Sequence, residues 1–217
     1  MTKDWDSAYR EKGIIQPDVV PIVSASIEIL KSRGVKRVLD VSFGTGRHTV
    51  FLAENGFDTY GIDVSDAGKK ITETKIREKG LKAHLQIADM KNMPFDDGFF
   101  DAVIAVHTLQ HNTIIGLRKT ISEITRVLKP KGILVATSVS KNDPRFSDKR
   151  NKKIAPDTFI HTFDPDEADV PHYYCDEKTV KELFSEYNFL KFEEEHKTSP
   201  RRNNVPIAHF VFIAEKK

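Results

Sequence analysis

Apolar and polar positions along the chain follow two periods. Short apolar runs of strand length occur at Arg37 to Val41, Phe57 to Ile62, Ala83 to Ala88, Asp101 to Val106 and Ile133 to Ser138. Between several of them lie longer stretches with helical spacing. One covers about Gly46 to Asn55, and a second runs from the capping residue Ser65 through Lys79, where Gly80 stops it. A third spans about Ile114 to Leu128, with Leu117, Ile121, Ile124 and Leu128 on one face. Upstream, Pro21 opens a helix to about Arg33 that Gly34 ends. The run from Asp101 is almost wholly apolar, as a central parallel strand buried on both faces requires. Downstream, Asp176 or Thr179 begins a helix to about Tyr187, and Phe189 to Glu195 and Ala208 to Ala214 alternate as two further strands. The pattern predicts an α/β fold: a mostly parallel seven-stranded sheet with an antiparallel C-terminal edge and helices on both faces.

Residues 140 to 175 break the pattern, being polar and poorly periodic. Stretches of that length inside a compact domain are functional loops, lids or disordered segments, and substrate specificity is expected there. With 217 residues, 39% hydrophobic, the chain suffices for one substantial core and is too short for two large domains. A single domain is therefore expected, organised as 1–34 (N-terminal segment and helix), 35–140 (ligand-binding core), 141–175 (substrate or lid loop) and 176–217 (C-terminal helix and strand pair).

The first apolar run leads directly into glycines, in Val38-Leu39-Asp40-Val41-Ser42-Phe43-Gly44-Thr45-Gly46-Arg47-His48-Thr49. Gly44 and Gly46 let the backbone turn sharply and admit a ligand, and the helix that follows presents unpaired N–H groups to it. A dinucleotide site wants G-x-G-x-x-G here, and Thr49 stands at the third glycine position. Instead, Asp40 closes the first strand and Asp63 closes the second, in Tyr60-Gly61-Ile62-Asp63-Val64. Carboxylates accept hydrogen bonds from ribose hydroxyls and an amine-bearing tail, and they repel a diphosphate. S-adenosylmethionine fits that description.

This order of motifs resembles the class I S-adenosylmethionine-dependent methyltransferases, whose first motif reads roughly D-x-G-x-G-x-G. Asp40, Gly44 and Gly46 match it, and Ser42 replaces its first glycine. A serine disfavours strongly positive φ, so the loop is expected to be slightly re-shaped, or the hydroxyl to contact ligand. The stretch Arg126-Val127-Leu128-Lys129-Pro130-Lys131-Gly132 resembles the family's R-V-L-K-P-G-G turn, with Lys131 in place of a glycine. The likeness is greatest to the small-molecule branch, methyltransferase type 11, near the tellurite-resistance-type enzymes. It implies a Rossmann-like, doubly wound fold that binds S-adenosylmethionine and releases S-adenosylhomocysteine.

Residue by residue, the resemblance implies that Asp63, with Val64 beside it, holds the ribose hydroxyls and that Asp89 with the Met90 backbone meets the adenine. Val106 and His107 would sit beside the methionyl part, and Asp40 would organise the loop or meet the amino group. Ser42, Gly44 and Gly46 form the cofactor loop. Trp5 and Tyr9 match a W-x-x-x-Y segment that folds over the cofactor, where an aromatic face attracts a sulfonium; alternatively both rings simply pack against the domain. Arg47 either pairs with the cofactor carboxylate or is a helix-surface arginine.

Methyl transfer needs a base when the acceptor is an oxygen or a protonated amine, and histidine has the right intrinsic range. The candidates are His107 and His111, four apart, and His172 beside Tyr173 and Tyr174, which would line an acceptor pocket. The same three histidines admit a metal-site reading, ranked lower because no nearby acid completes a motif, so no metal is assigned. Cys175, the only cysteine, excludes an intramolecular disulfide and receives no role. It fits a cytoplasmic setting, as does a polar N-terminus without a signal-like apolar core or any later membrane-length run.

The formal net charge of +2 gives no overall field for nucleic acid or membrane. The clusters Lys149-Arg150-Asn151-Lys152-Lys153 and Arg201-Arg202 lack interleaved aromatics and read as solvated charge. The expected partner is a small-molecule methyl acceptor. An RNA methyltransferase, a non-catalytic S-adenosylmethionine-binding protein and a nicotinamide oxidoreductase are the rival readings.

Overall fold

A computed structural model describes residues 4–162, 169–199 and 205–217. Helix α1 (Trp5–Lys12) and helix α2 (Pro21–Ser32) lead into strand β1 (Arg37–Val41), helix α3 (Arg47–Glu54), strand β2 (Asp58–Asp63) and helix α4 (Asp66–Glu78). Strands β3 (His84–Ile87) and β4 (Phe100–Ala105), helix α5 (Ile114–Val127) and strand β5 (Leu128–Val139) follow. Helix α6 (Glu177–Leu183) and strands β9 (Tyr187–Ser199) and β10 (Val205–Lys216) end the chain. A small sheet of β6 (Lys152–Ala155), β7 (Thr158–Ile160) and β8 (Pro171–Tyr173) interrupts it.

The main sheet runs β3-β2-β1-β4-β5-β10-β9. The first five strands are mutually parallel, and β10 pairs antiparallel with both β5 and β9. Strand order therefore reverses between β1 and β4, and ligand crevices in such sheets open at the carboxyl ends beside this reversal. This is the doubly wound, Rossmann-like architecture that the alternation predicts. Along β4 the residues divide between two cores. Val103 and Ala105 join Leu39, Leu134, Phe212 and the apolar stripe of α5, Leu117, Ile121 and Ile124. Ala102 and Ile104 join Val38, Val135, Val211 and the buried face of α2, Ile22, Val23, Ile27 and Leu30.

Three local expectations need correction. Helix α6 stops at Leu183 rather than near Tyr187, because Tyr187 already pairs with Lys216 in β9. Strands β9 and β10 are 13 and 12 residues long, beyond the predicted bounds, since cross-strand pairing carries polar residues such as His196 to Ser199 that no apolar period marks. Where it is described, the stretch 140–175 carries regular structure: a 3₁₀ turn, Pro144–Ser147, precedes the small antiparallel sheet. Phe146, Phe159 and Tyr174 cluster beneath it, and Lys141 bridges Asp157 and Asp176 at 2.8 and 3.1 Å.

Arg126 sits in the last turn of α5. Arg126 donates to the carbonyls of Phe95 and Met93 at 2.6 and 2.9 Å and to Glu123, whose carboxylate accepts the Met93 N–H. The motif arginine thus pins the 93–98 turn that delivers the chain into β4, while Lys131 takes the left-handed conformation, φ 63°, of the glycine it replaces. Removing the guanidinium takes a donor from each of those carbonyls and the cationic partner from Glu123. We expect Arg126→Ala to lower the unfolding free energy by about 2–4 kcal/mol in urea titration. A loss under about 0.5 kcal/mol would mark the side chain as ordinary surface charge.

Candidate active site

At the carboxyl ends of the parallel strands lies a cavity of about 500 Å³. Its floor is the glycine loop. Ser42, Gly44 and Gly46 all have positive φ, at 60°, 56° and 82°. The expectation that serine would re-shape the loop is therefore corrected: Ser42 adopts the left-handed conformation itself, at a cost of roughly 1–2 kcal/mol. Local bonds hold it there. Its N–H donates to the Ile62 carbonyl at 2.8 Å and its hydroxyl accepts from Thr108 Oγ1 at 2.7 Å. A Cβ at Gly46 would lie 2.4 Å from Thr72 of α4, and one at Gly44 would lie 2.7 Å from the Tyr9 hydroxyl.

The two strand-end acids have different jobs. Asp63 is buried and lines the cavity; its Oδ2 accepts the Gly44 N–H at 2.7 Å and its Oδ1 the Ser65 N–H at 2.8 Å. Burial raises its pKa, and those backbone donors oppose the rise. Asp40 is not on the cavity wall. It accepts from Thr49 Oγ1 of α3 at 2.7 Å, and complete burial pushes its pKa up to about 7. Asp40 and Gly46 thus shape the loop from behind.

A strap closes one side. Asp6 Oδ1 accepts from Ser65 Oγ at 2.9 Å and from the Ala67 N–H at 2.8 Å, at the start of α4; these donors hold its carboxyl down to about 2. Trp5 and Tyr9 stack at 5.9 Å and both line the cavity, with Trp5 also edge-on to His111 at 5.1 Å. The two readings of this aromatic pair merge: the rings pack α1 onto the domain and wall the cavity together.

Val64, Asp89, Met90, Val106, His107, His111 and His172 also reach the wall. The Met90 sulfur lies 3.6 Å from Thr108 Oγ1. His107 follows β4 with φ 56°, its N–H donating to Thr137 Oγ1 at 2.8 Å, and its ring stacks on His209 of β10 at 5.3 Å. His111 meets His172 edge-on at 4.8 Å, and His172 meets the buried His161 at 4.3 Å. Tyr173 and Tyr174 do not reach the cavity. Tyr174 is fully buried with its hydroxyl on His161 Nε2 at 2.9 Å, and Tyr173 joins the small sheet to Gln110 through its backbone N–H. Among the described residues no cluster of His, Cys, Asp or Glu has the makings of a metal site.

Sequence reasoning missed His209, Arg145, His48, Gln110 and Thr108, all of which line the cavity. Only His209 left a signal, as the polar interruption of the apolar run Ala208-His209-Phe210-Val211-Phe212. The cluster Lys149 to Lys153 is exposed and off the cavity wall, and Arg201-Arg202 lies outside the described residues. Burial pushes the Cys175 thiol up to about 11. Among the described residues no helix is long and apolar enough to cross a membrane.

A family model described as a methyltransferase domain matches residues 39–136, from β1 to β5. Demethylmenaquinone methyltransferase of Thermus thermophilus is 31% identical over 112 residues, which cover 51% of this chain and 50% of that protein. Glycine/sarcosine N-methyltransferase of Halorhodospira halochloris is 29% identical over 181 residues, 80% of this chain and 56% of that protein. The chain spans about half the length of these relatives. The crystal structure of a SAM-dependent methyltransferase from Methanosarcina mazei superposes with a TM-score of 0.73 at 23% identity, covering 92% of this chain and 98% of that one.

Asp40 makes the site's stability sensitive to pH. An unfolded aspartate ionises near about 3.9, whereas folded Asp40 keeps its proton up to about 7. Between those values the folded chain binds the extra proton. The contribution of this group is therefore full below about pH 4 and is lost as pH rises through 7. Asp40→Asn keeps an acceptor for Thr49 and does not ionise. Its stability relative to wild type should climb from pH 4 to 7, by an amount on the order of a few kcal/mol, in urea titrations along the series. A difference that stays flat with pH would argue against a protonated buried acid.

Proposed function

We propose that this chain, whose residues 39–136 match the model of a methyltransferase domain, transfers a methyl group from S-adenosylmethionine to a small acceptor held in the same cavity. The observation that carries the reading is the Asp63 carboxylate, bonded to the Gly44 N–H beside the strand reversal and facing the cavity. Asp63 and Asp89 on one wall suit hydroxyl and amine donors and disfavour a diphosphate. An ionised carboxylate offers about four acceptor sites, so Asp63 retains capacity for ribose hydroxyls while it holds the loop.

In this reading Asp63 with Val64 binds the ribose, Asp89 with the Met90 backbone meets the adenine, and Val106 and His107 flank the methionyl part. The cofactor supplies an electrophilic methyl on a cationic sulfur, which leaves as the thioether of S-adenosylhomocysteine once the acceptor lone pair has displaced it. The protein's share is positioning, supplied by the loop, by Trp5 and Tyr9 against the ligand, and by exclusion of water under the strap. His107 is the leading candidate to take a proton from the acceptor, with His111 and His172 the alternatives on the adjoining wall.

The left-handed Ser42 preserves the loop shape of a glycine, which weighs against a chain that kept the fold and lost the ligand. An RNA acceptor would want Lys149 to Lys153 on the cavity rim, and they are not among its lining residues. The lone, buried Cys175 accords with a reducing, cytoplasmic setting.

Calorimetric titration tests the reading. S-adenosylmethionine and S-adenosylhomocysteine should bind saturably, NADH should not, and Asp63→Ala should weaken both by about tenfold or more. His107→Gln should lower turnover, measured at saturating S-adenosylmethionine, once an acceptor is found. Binding of NADH in the absence of either sulfur ligand would sink the proposal.

A further inference from the structure

The loop between β4 and α5 places several polar side chains out of water, where each needs a partner. Thr108 Oγ1 donates to Ser42 Oγ at 2.7 Å. Asn112 Nδ2 donates to the Leu109 carbonyl at 3.3 Å, and Thr113 caps α5 by accepting the Gly116 N–H at 3.3 Å. Gln110 differs from them. It is 5% exposed and lines the cavity, and its Oε1 is buried with no hydrogen-bond partner among the described residues.

The main chain of Gln110 is fully engaged. Its carbonyl accepts the Asn112 N–H at 2.7 Å and the Tyr173 N–H at 2.8 Å, so both lone pairs are used and the residue is pinned between the β4 loop and β8. The freedom that remains is in the side chain. Its terminal torsion is soft and two-fold, and a half-turn exchanges Oε1 with the NH2 group, which is not sealed off in the same way. A buried acceptor without a donor is a cost to the fold, and a residue kept for packing alone would avoid it as methionine or leucine. The carboxamide oxygen gains a use when a donor enters the cavity.

The surroundings narrow what that donor is. His111 follows Gln110 in the chain, and His172 precedes the Tyr173 N–H that Gln110 binds; both line the cavity. With Trp5 they make an edge-to-face series, Trp5 on His111 at 5.1 Å and His111 on His172 at 4.8 Å. Rings on a cavity wall favour a flat, aromatic body. One neutral carboxamide oxygen does not repay the desolvation of an ammonium, which selects an uncharged O–H or N–H as the donor.

Resting on the methyl-transfer reading of this cavity, we propose that Gln110 is a specificity-determining residue, its Oε1 accepting a hydrogen bond from an uncharged O–H or N–H on an aromatic methyl acceptor. A molecule of the same shape without the donor leaves the oxygen unmet and is rejected.

Aromatic donors are titrated into protein saturated with S-adenosylhomocysteine, each beside an isostere that lacks the donor: phenol beside toluene, and indole beside indene. At least one donor should bind about tenfold or more tighter than its isostere, and Gln110→Met and Gln110→Leu should erase that preference. Melting of the ligand-free protein supplies a second readout. Neither substitution removes a side-chain bond made at rest, so Tm should rise or stay within about 3 °C of wild type. S-adenosylhomocysteine affinity within about twofold of wild type certifies that a variant is folded. The proposal is overturned if no donor outperforms its isostere on wild type, or if the preference survives in a folded variant. It is equally overturned if both variants lose more than about 3 °C in Tm or lose S-adenosylhomocysteine binding, since the carboxamide would then serve the fold. Failure of wild type to bind S-adenosylhomocysteine would instead overturn the methyl-transfer reading.

Discussion

The hydrogen bond from the Gly44 N–H to Asp63 is the constraint on which the site depends. A carboxylate at the buried end of β2 must be supplied with donors or lose several kcal/mol, and the loop after β1 supplies one only by turning left-handed at Ser42 and Gly44. The second donor is the Ser65 N–H, which brings the start of α4 to the same acid. Ser65 then passes the arrangement outward, since its hydroxyl donates to Asp6 and fixes the α1 strap. One buried acid thus sets the loop, the entry to a helix and the position of Trp5 and Tyr9.

Asp40 shows why a motif acid need not touch a ligand. It lies on the strand next to Asp63 and is equally buried, yet its carboxylate bonds to Thr49 on the following helix. With only Thr49, through side chain and backbone, set against complete desolvation it favours the protonated form, whereas backbone donors from separate segments oppose the rise at Asp63. Two acids of like sequence context therefore play different parts, one behind the loop and one on the cavity wall.

The parallel half of the fold was legible because its signals are local. Apolar runs of strand length, the Ser65 cap, Gly34 and Gly80 past helix ends, and the glycine loop each depend on a few adjacent residues. Ser42 misled because propensity alone disfavours the left-handed region, and the bonds from Ile62 and Thr108 that offset the cost come from remote strands. Residues 140–175 read as a loop for a related reason. Their strands have three or four residues, and what orders them is a cluster of rings contributed by separated segments. Arg145 was invisible in the same way, since its partner Asp143 and its site on the wall acquire meaning only when β10 arrives beside it.

Register explains why this end of the cavity could not be read from the chain at all. Strand β10 pairs with β5 only from His209, opposite Val139, onward, while its pairing with β9 continues to Val205 opposite Ser199. The β9–β10 ribbon therefore extends past the end of the parallel strands and overhangs the cavity. Within it Ile207 lies opposite Lys197 and His209 opposite Glu195, and all four line the wall together with Ser199. Successive side chains on a strand point to opposite faces, so these cross-strand pairs make up one face of the ribbon. A slip of one residue would turn them outward and present Ala208 and His196 instead. The chemistry of this wall is accordingly fixed by the pairing of two strands, one of which carries glutamates, a histidine and a lysine without any apolar mark to show which of them faces inward.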